Sequence, residues 1–165
     1  MRKLMLILAL CVLLTGCSST ATYETLGPIQ HVSEMVPQML KVRFHLPEDA
    51  VQDVFCGGEN WVYQCEEYLL LTQTIESGNL SRTIELLSGF SPENLTILES
   101  SPDGIDRYDW VWSAVGEDGD VICRASVLDD GNFHYCLAVF TSASNAGGLT
   151  EEWNGLFSSF CLEVD

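Results

Sequence analysis

Two turn clusters punctuate the stretch from Tyr108 to Thr141, and they restrict the fold more than any other feature of this sequence. Tyr108 to Val115 runs into Gly116-Glu117-Asp118-Gly119-Asp120. Val121 to Leu128 runs into Asp129-Asp130-Gly131-Asn132, and Phe133 to Thr141 follows. Asp-Gly between β-rich runs marks a hairpin, because glycine enters the left-handed backbone that tight turns require. The three runs therefore form an antiparallel meander, which needs other elements packed on it to bury its apolar faces.

Those elements are legible on either side. Leu40 to Leu46 alternates, with Leu40, Val42, Phe44 and Leu46 facing one way and Lys41, Arg43 and His45 the other, until Pro47 stops it. Val51 to Phe55 is a short apolar stretch, and Cys56-Gly57-Gly58-Glu59-Asn60 reads as a turn. Trp61 to Cys65 and Tyr68 to Ile75 read as strands. Asn79 is placed to cap a helix over Leu80 to Ser88, with Leu80, Ile84 and Leu87 as its apolar stripe and Gly89 at the stop. Asn94 to Leu98 reads as a short strand and Ser100 to Asp106 as a polar loop. Over Leu149 to Phe160, Trp153, Leu156, Phe157 and Phe160 recur at helical spacing, and Glu151 and Glu152 suit the first turn of a helix there. The expected class is α+β: a mostly antiparallel sheet of about six to seven strands flanked by two helices.

The amino terminus is of a different kind. Met1, Arg2 and Lys3 precede an apolar run from Leu4 to Leu14, shorter than the roughly 20 residues of a membrane span. It ends in Leu14-Thr15-Gly16-Cys17, which resembles the bacterial lipobox. That resemblance implies diacylglycerol on Cys17, cleavage just before it, and a protein lipid-anchored on the outer face of the cell membrane. The overall character suggests a Gram-positive envelope. Residues 1–16 are then a signal peptide, and residues 17–38, broken by Gly27, Pro28 and Pro37, a flexible tether. Residues 39–165 form a single domain.

Charge excludes some partners. The chain has 24 acidic and 7 basic side chains, a formal net charge of −17, and loss of Arg2 and Lys3 makes the mature chain more acidic still. Such a surface repels nucleic acid and anionic bilayers.

The order of elements resembles the PsbP-like fold, an α/β/α sandwich. Its superfamily includes a photosystem oxygen-evolution subunit, a nuclear-import factor that binds the Ran GTPase, and bacterial lipoproteins. The residues that carry the likeness are Phe133-His134-Tyr135-Cys136-Leu137-Ala138-Val139-Phe140, which enter a loop and then a helix closing on Ser158-Ser159-Phe160. Leu46-Pro47-Glu48-Asp49 after the first strand is similar to the superfamily's opening. The match runs from about Leu40 to Val164 and rests on structural patterns, so no catalytic residue carries over. It implies a non-enzymatic binding or accessory role.

The residues themselves agree with that expectation. Neither G-x-S-x-G nor H-E-x-x-H occurs, nor a glycine-rich phosphate loop, so no catalytic, metal or cofactor assignment is made. His134 and Cys136 share a strand face and are the one pair suggesting nucleophile and base, with no orienting acid in sight; the expected roles are instead Cys136 in the core and His134 at a strand edge. Glu117-Asp118-Gly119-Asp120 and Asp129-Asp130-Gly131 lack the calcium-loop spacing and read as hairpin turns. Cys56, Cys65, Cys123, Cys136 and Cys161 remain beside Cys17 in the mature chain, with no C-x-x-C among them and their pairing open. Trp61 and Tyr63 share one strand face, and Trp110 and Trp112 another. These four are the candidate ligand-binding residues, with core packing, against Trp153 and Phe157, as the competing role. The expected function is a membrane-anchored, non-catalytic binding or accessory module for a protein, a peptide or a small apolar ligand. An envelope enzyme of unrecognised type and a structural subunit of a membrane complex are the alternatives.

Overall fold

The structure, a computed structural model, describes residues 37–53 and 60–163. The expected signal peptide, Cys17, nearly all of the expected tether and most of the expected Cys56–Asn60 turn lie outside the described residues. From Met39 onward the chain forms one compact unit.

Among the described residues, seven strands make one antiparallel sheet. They are β2 (Val51–Asp53), β3 (Trp61–Gln64), β4 (Tyr68–Glu76), β5 (Ile97–Ser100), β6 (Asp106–Gly116), β7 (Gly119–Asp129) and β8 (Phe133–Ser142), in the order β2-β3-β4-β8-β7-β6-β5. The expected α+β class is what forms. A separate antiparallel ribbon pairs β1 (Lys41–Arg43) with β9 (Cys161–Glu163), Lys41 opposite Glu163 and Arg43 opposite Cys161. The expectation of a Leu40 to Leu46 strand is thus met by three paired residues, outside the main sheet. No strand is expected after the second helix; β9 forms because the chain leaving that helix runs alongside β1.

The meander β6-β7-β8 follows its turn chemistry. Gly116 pairs with Gly119 around a two-residue turn, with Gly119 at φ 124. At the next turn Asp129 accepts from the Gly131 N–H, and Asp130 accepts from the N–H groups of Asn132 and Phe133. Gly131 sits at φ 87, where a side chain would be strained. The acidic residues of this turn are bound to the backbone itself.

Among the described residues, two helices cover the sheet. Helix α1 (Leu80–Ser88) buries Ile84 and Leu87, and stops at Gly89, whose left-handed backbone lets its N–H reach Glu85 O at 2.8 Å. Asn79 occupies the cap position but caps with its backbone carbonyl, which receives the N–H groups of Arg82 and Thr83. Helix α2 (Thr150–Ser159) buries Trp153, Leu156 and Phe157 on the opposite face of the sheet, with Phe160 buried just after it. No basic residue lies in its last turn. Arg107 of β6 supplies that charge instead: its guanidinium donates to Phe157 O at 2.9 Å and Phe160 O at 3.2 Å while paired with Asp109 at 2.7 Å.

The strand expected over Asn94 to Leu98 begins three residues later. Pro92 starts a short 3-10 turn through Asn94, where its fixed φ suits a turn and its missing N–H costs nothing, and β5 follows only at Ile97.

One buried side chain ties the layers together. Tyr135 of β8 is fully buried; its hydroxyl accepts from the Leu40 N–H at 2.8 Å and donates to Asp130 Oδ2 at 2.8 Å. It thus connects the segment entering β1 to the β7–β8 turn. Burial, with Asp130 alongside, pushes the phenol up to about 12. Tyr135→Phe keeps the ring but leaves a backbone donor and a carboxylate without their partner. The expected loss is about 1–3 kcal/mol of stability in urea unfolding.

Cys65, Cys123, Cys136 and Cys161 carry free thiols, while Cys56 lies outside the described residues. Burial pushes Cys65 up to about 11 and Cys123 up to about 12, and raises Cys136 further. In the native protein at pH 8, iodoacetamide is expected to label the partly exposed Cys161 and spare Cys123 and Cys136 until denaturant is added, as peptide mass spectrometry would show. The same shifts make unfolding easier in alkali. Thiols ionise in the unfolded chain from about pH 9 but stay protonated in the fold, so stability is full below that pH and declines as pH rises toward 12.

Candidate functional site

The β1–β9 ribbon packs on the same face of the sheet as α2, and Leu40, Val42, Phe44 and Leu162 join that core. Tyr135 and Ser159 fasten it, the latter through a 2.8 Å bond from the His45 N–H to its hydroxyl. Between the strand-like segment 39–44 and the sheet a concavity of about 530 Å³ remains. Leu40, Val42 and Phe44 form one wall, and Trp61 and Tyr63 of β3 the other. Thr72 and Thr74 of β4, small and polar, leave the floor low. Trp61 stands 39 % exposed beside Met39, also exposed. The volume lies within the usual range for small-molecule pockets, and the mix of aromatic walls with a few hydroxyls suits an amphipathic ligand.

The four candidate aromatics divide. Trp61 and Tyr63 line this groove. Trp110 and Trp112 lie across the sheet, 2 % and 7 % exposed, in the core beneath α1 with Ile84 and Leu87. They stack at 6.1 Å, and Trp112 meets Phe140 edge-on at 5.9 Å. They do not meet Trp153 and Phe157, whose helix is on the other face. Trp153 instead takes the ring of Tyr68 edge-on at 6.1 Å.

His134 and Cys136 do share a face, as alternation requires, and both are buried under α1. His134 is not the strand-edge residue expected: it lies on β8, the central strand of the seven, and is buried there. One ring nitrogen is 2.8 Å from Thr83 Oγ1 and the other 3.3 Å from Asp129 Oδ2, so both nitrogens are occupied by packing partners. The Cys136 thiol, packed in the core beneath α1, has the His134 carbonyl oxygen as its hydrogen-bond partner, at 3.8 Å. Its raised pKa keeps it protonated near neutrality, which is the opposite of an activated nucleophile.

A second, more open concavity of about 450 Å³ lies beyond Phe44, between His45–Asp49 and the Glu152–Leu156 side of α2. Two of its three acids are already engaged: Glu152 accepts from the Tyr68 hydroxyl at 2.5 Å and Asp49 from the Glu66 N–H at 2.6 Å. Among the described residues no group of His, Cys, Asp and Glu could hold a metal ion, and no helix is long and apolar enough to cross a membrane.

The wall formed by Leu40, Val42 and Phe44 is absent from the sequence-based candidates. Alternation identified their common face, but a core face and a groove wall have the same pattern. The one signal for the floor is the pair Thr72 and Thr74, which follows the apolar run Leu69 to Leu71 on β4.

No family model matches the chain, and no curated protein matches it significantly in sequence. Solved structures do match in shape. The solution structure of the cyanobacterial PsbP protein (CyanoP) of Synechocystis aligns with a TM-score of 0.55 at 14% identity, over 83% of this chain and 100% of that one. The crystal structure of LpqN of Mycobacterium tuberculosis, described as involved in cell envelope biogenesis, aligns with a TM-score of 0.53 at 11% identity, over 79% of this chain and 88% of that one. At such identities the likeness speaks for the fold alone: this chain has an α+β fold like that of PsbP.

Proposed function

We propose that this protein is a lipid-anchored envelope module, held at the outer face of the membrane through Cys17, and that its folded domain binds a small apolar or amphipathic ligand without catalysing a reaction. The carrying observation is Trp61, a large aromatic side chain left exposed at the rim of a concave groove. Exposing such a ring forgoes burial that stabilises a core, on the order of 1.5–3 kcal/mol for a large apolar side chain. The buried, fully partnered His134 and the protonated Cys136 support a non-catalytic role. The likeness to LpqN, described as involved in cell envelope biogenesis, supports the location.

A structural role in a membrane complex is favoured by a different surface. Leu98, Val111 and Val115 are 68 %, 58 % and 90 % exposed, and alternation puts them on one face of β5–β6. Stoichiometric co-purification with integral membrane proteins, lost on changing all three residues to Ser, is what that role predicts.

Ligand binding is testable through fluorescence. Trp61 is far more exposed than Trp110, Trp112 and Trp153, so acrylamide quenching should report chiefly on it. A single-chain amphiphile below its micellar concentration is expected to shield that fluorescence at least twofold in the wild type and to leave Trp61→Phe unchanged. Equal quenching with and without amphiphile would remove the groove as a binding site.

A further inference from the structure

We infer that the groove selects an amphiphile carrying a single acyl chain and an anionic head group, with Lys41 and Arg43 receiving the head. This rests on the groove-binding reading and names its ligand class.

The argument starts from the scarcity of positive charge. From residue 37 onward the basic side chains are Lys41, Arg43, Arg82, Arg107 and Arg124. Two of the five are committed to the fold. Arg107 pairs with Asp109 and closes α2. Arg124 lies over the Phe157 ring at 4.3 Å and donates to Asn154. Arg82 stands on exposed α1, away from any cavity described above. The remaining two fall within one three-residue strand, β1, and that strand borders the groove.

Alternation then separates the two chemistries. Leu40, Val42 and Phe44 turn toward the core face and wall the groove, while Lys41, Arg43 and His45 stay exposed on the other face of the same segment. Lys41 itself borders the cavity. Long basic side chains bend so that their stems cover apolar surface and their heads remain in water, which places positive charge at the mouth of a slot with apolar walls. Neither Lys41 nor Arg43 makes an ion pair among the described residues. Glu163 stands opposite Lys41 in the ribbon and also borders the groove, so it offsets part of the charge. Arg43, opposite Cys161, has no acid across from it.

An apolar tail along Leu40, Val42 and Trp61 and an anion at Lys41 and Arg43 would satisfy both halves of this arrangement. In a chain this acidic, an anionic ligand without such a strip would be repelled from the groove.

The test uses the chain from residue 18 onward, which keeps every described residue and needs no detergent. Laurate, lauroyl lysophosphatidylglycerol and neutral monolauroylglycerol are titrated below their micellar concentrations, with calorimetry and Trp61 quenching as readouts. The expected result is that at least one anionic amphiphile binds about tenfold more tightly than the neutral one. The preference should weaken with added salt and vanish in the Lys41→Gln, Arg43→Gln double variant, while Arg82→Gln is unaffected. Binding of laurate alone would assign a carboxylate head, binding of the lysolipid alone a phosphate head, and either supports the inference. If monolauroylglycerol binds as tightly as both anions, head-group selection is wrong and the groove reading stands. If none of the three binds, or if Trp61→Ala binds all three unchanged with a native circular dichroism spectrum, both fall.

Discussion

Strand β8 sets the requirement that the remaining architecture meets. Its residues from His134 to Val139 are buried without exception, alternate ones facing opposite sides of the sheet. A strand buried on both faces needs cover on both, and only two short helices are available among the described residues. Ile84 and Leu87 of α1 close one side, over Cys136 and Ala138; Trp153, Leu156 and Phe157 of α2 close the other, over Tyr135, Leu137 and Val139. The central position of β8 follows, since every other strand can then lie nearer an edge.

The supply of cover is smaller than the demand. A helix of nine or ten residues is about 15 Å long and about 10 Å across, whereas seven strands at about 4.8 Å spacing span nearly 30 Å. On the α2 face the deficit appears on both flanks. Toward β3 and β4 the β1–β9 ribbon supplies partial cover and leaves the groove beneath it. Toward β5 and β6 nothing among the described residues covers Leu98, Val111 and Val115. The two surfaces with functional interest are thus places where this face is incompletely covered.

Polar side chains hold the cover in place. Tyr135 secures the ribbon's entry through the Leu40 N–H, Ser159 secures its far end through the His45 N–H, and Arg107 closes the carbonyl end of α2. Each is a side chain bonded to a backbone group from a distant part of the chain. Where such a bond is partly buried, as at Leu40 and Phe157, it costs more to break than it contributes net, because the backbone group left behind loses its partner. The ribbon is therefore fixed at two points and free of the main sheet's ladder, which allows a cavity to persist beside a well-packed core.

Local chemistry was decisive for most of the elements. The two glycine-bearing turns, the β-rich runs of β3, β4 and β6 to β8, the Ile84 and Leu87 stripe with Gly89 behind it, and the Trp153 to Phe160 stripe all depend on neighbours within a few residues, and all were legible from the sequence. So were the antiparallel class and the PsbP-like order. Where a residue's partner is remote, sequence was silent. β9 exists because β1 lies beside it. His134 proves to be a packed core residue because Thr83 of α1 reaches it. Trp61 and Trp110 look alike in sequence, yet the register of β3 and β6 and the placement of the helices put one at a groove rim and the other in the core. Alternation reveals which residues share a face, but only the tertiary arrangement, by spending two short helices on a wide sheet, decides which part of that face stays open.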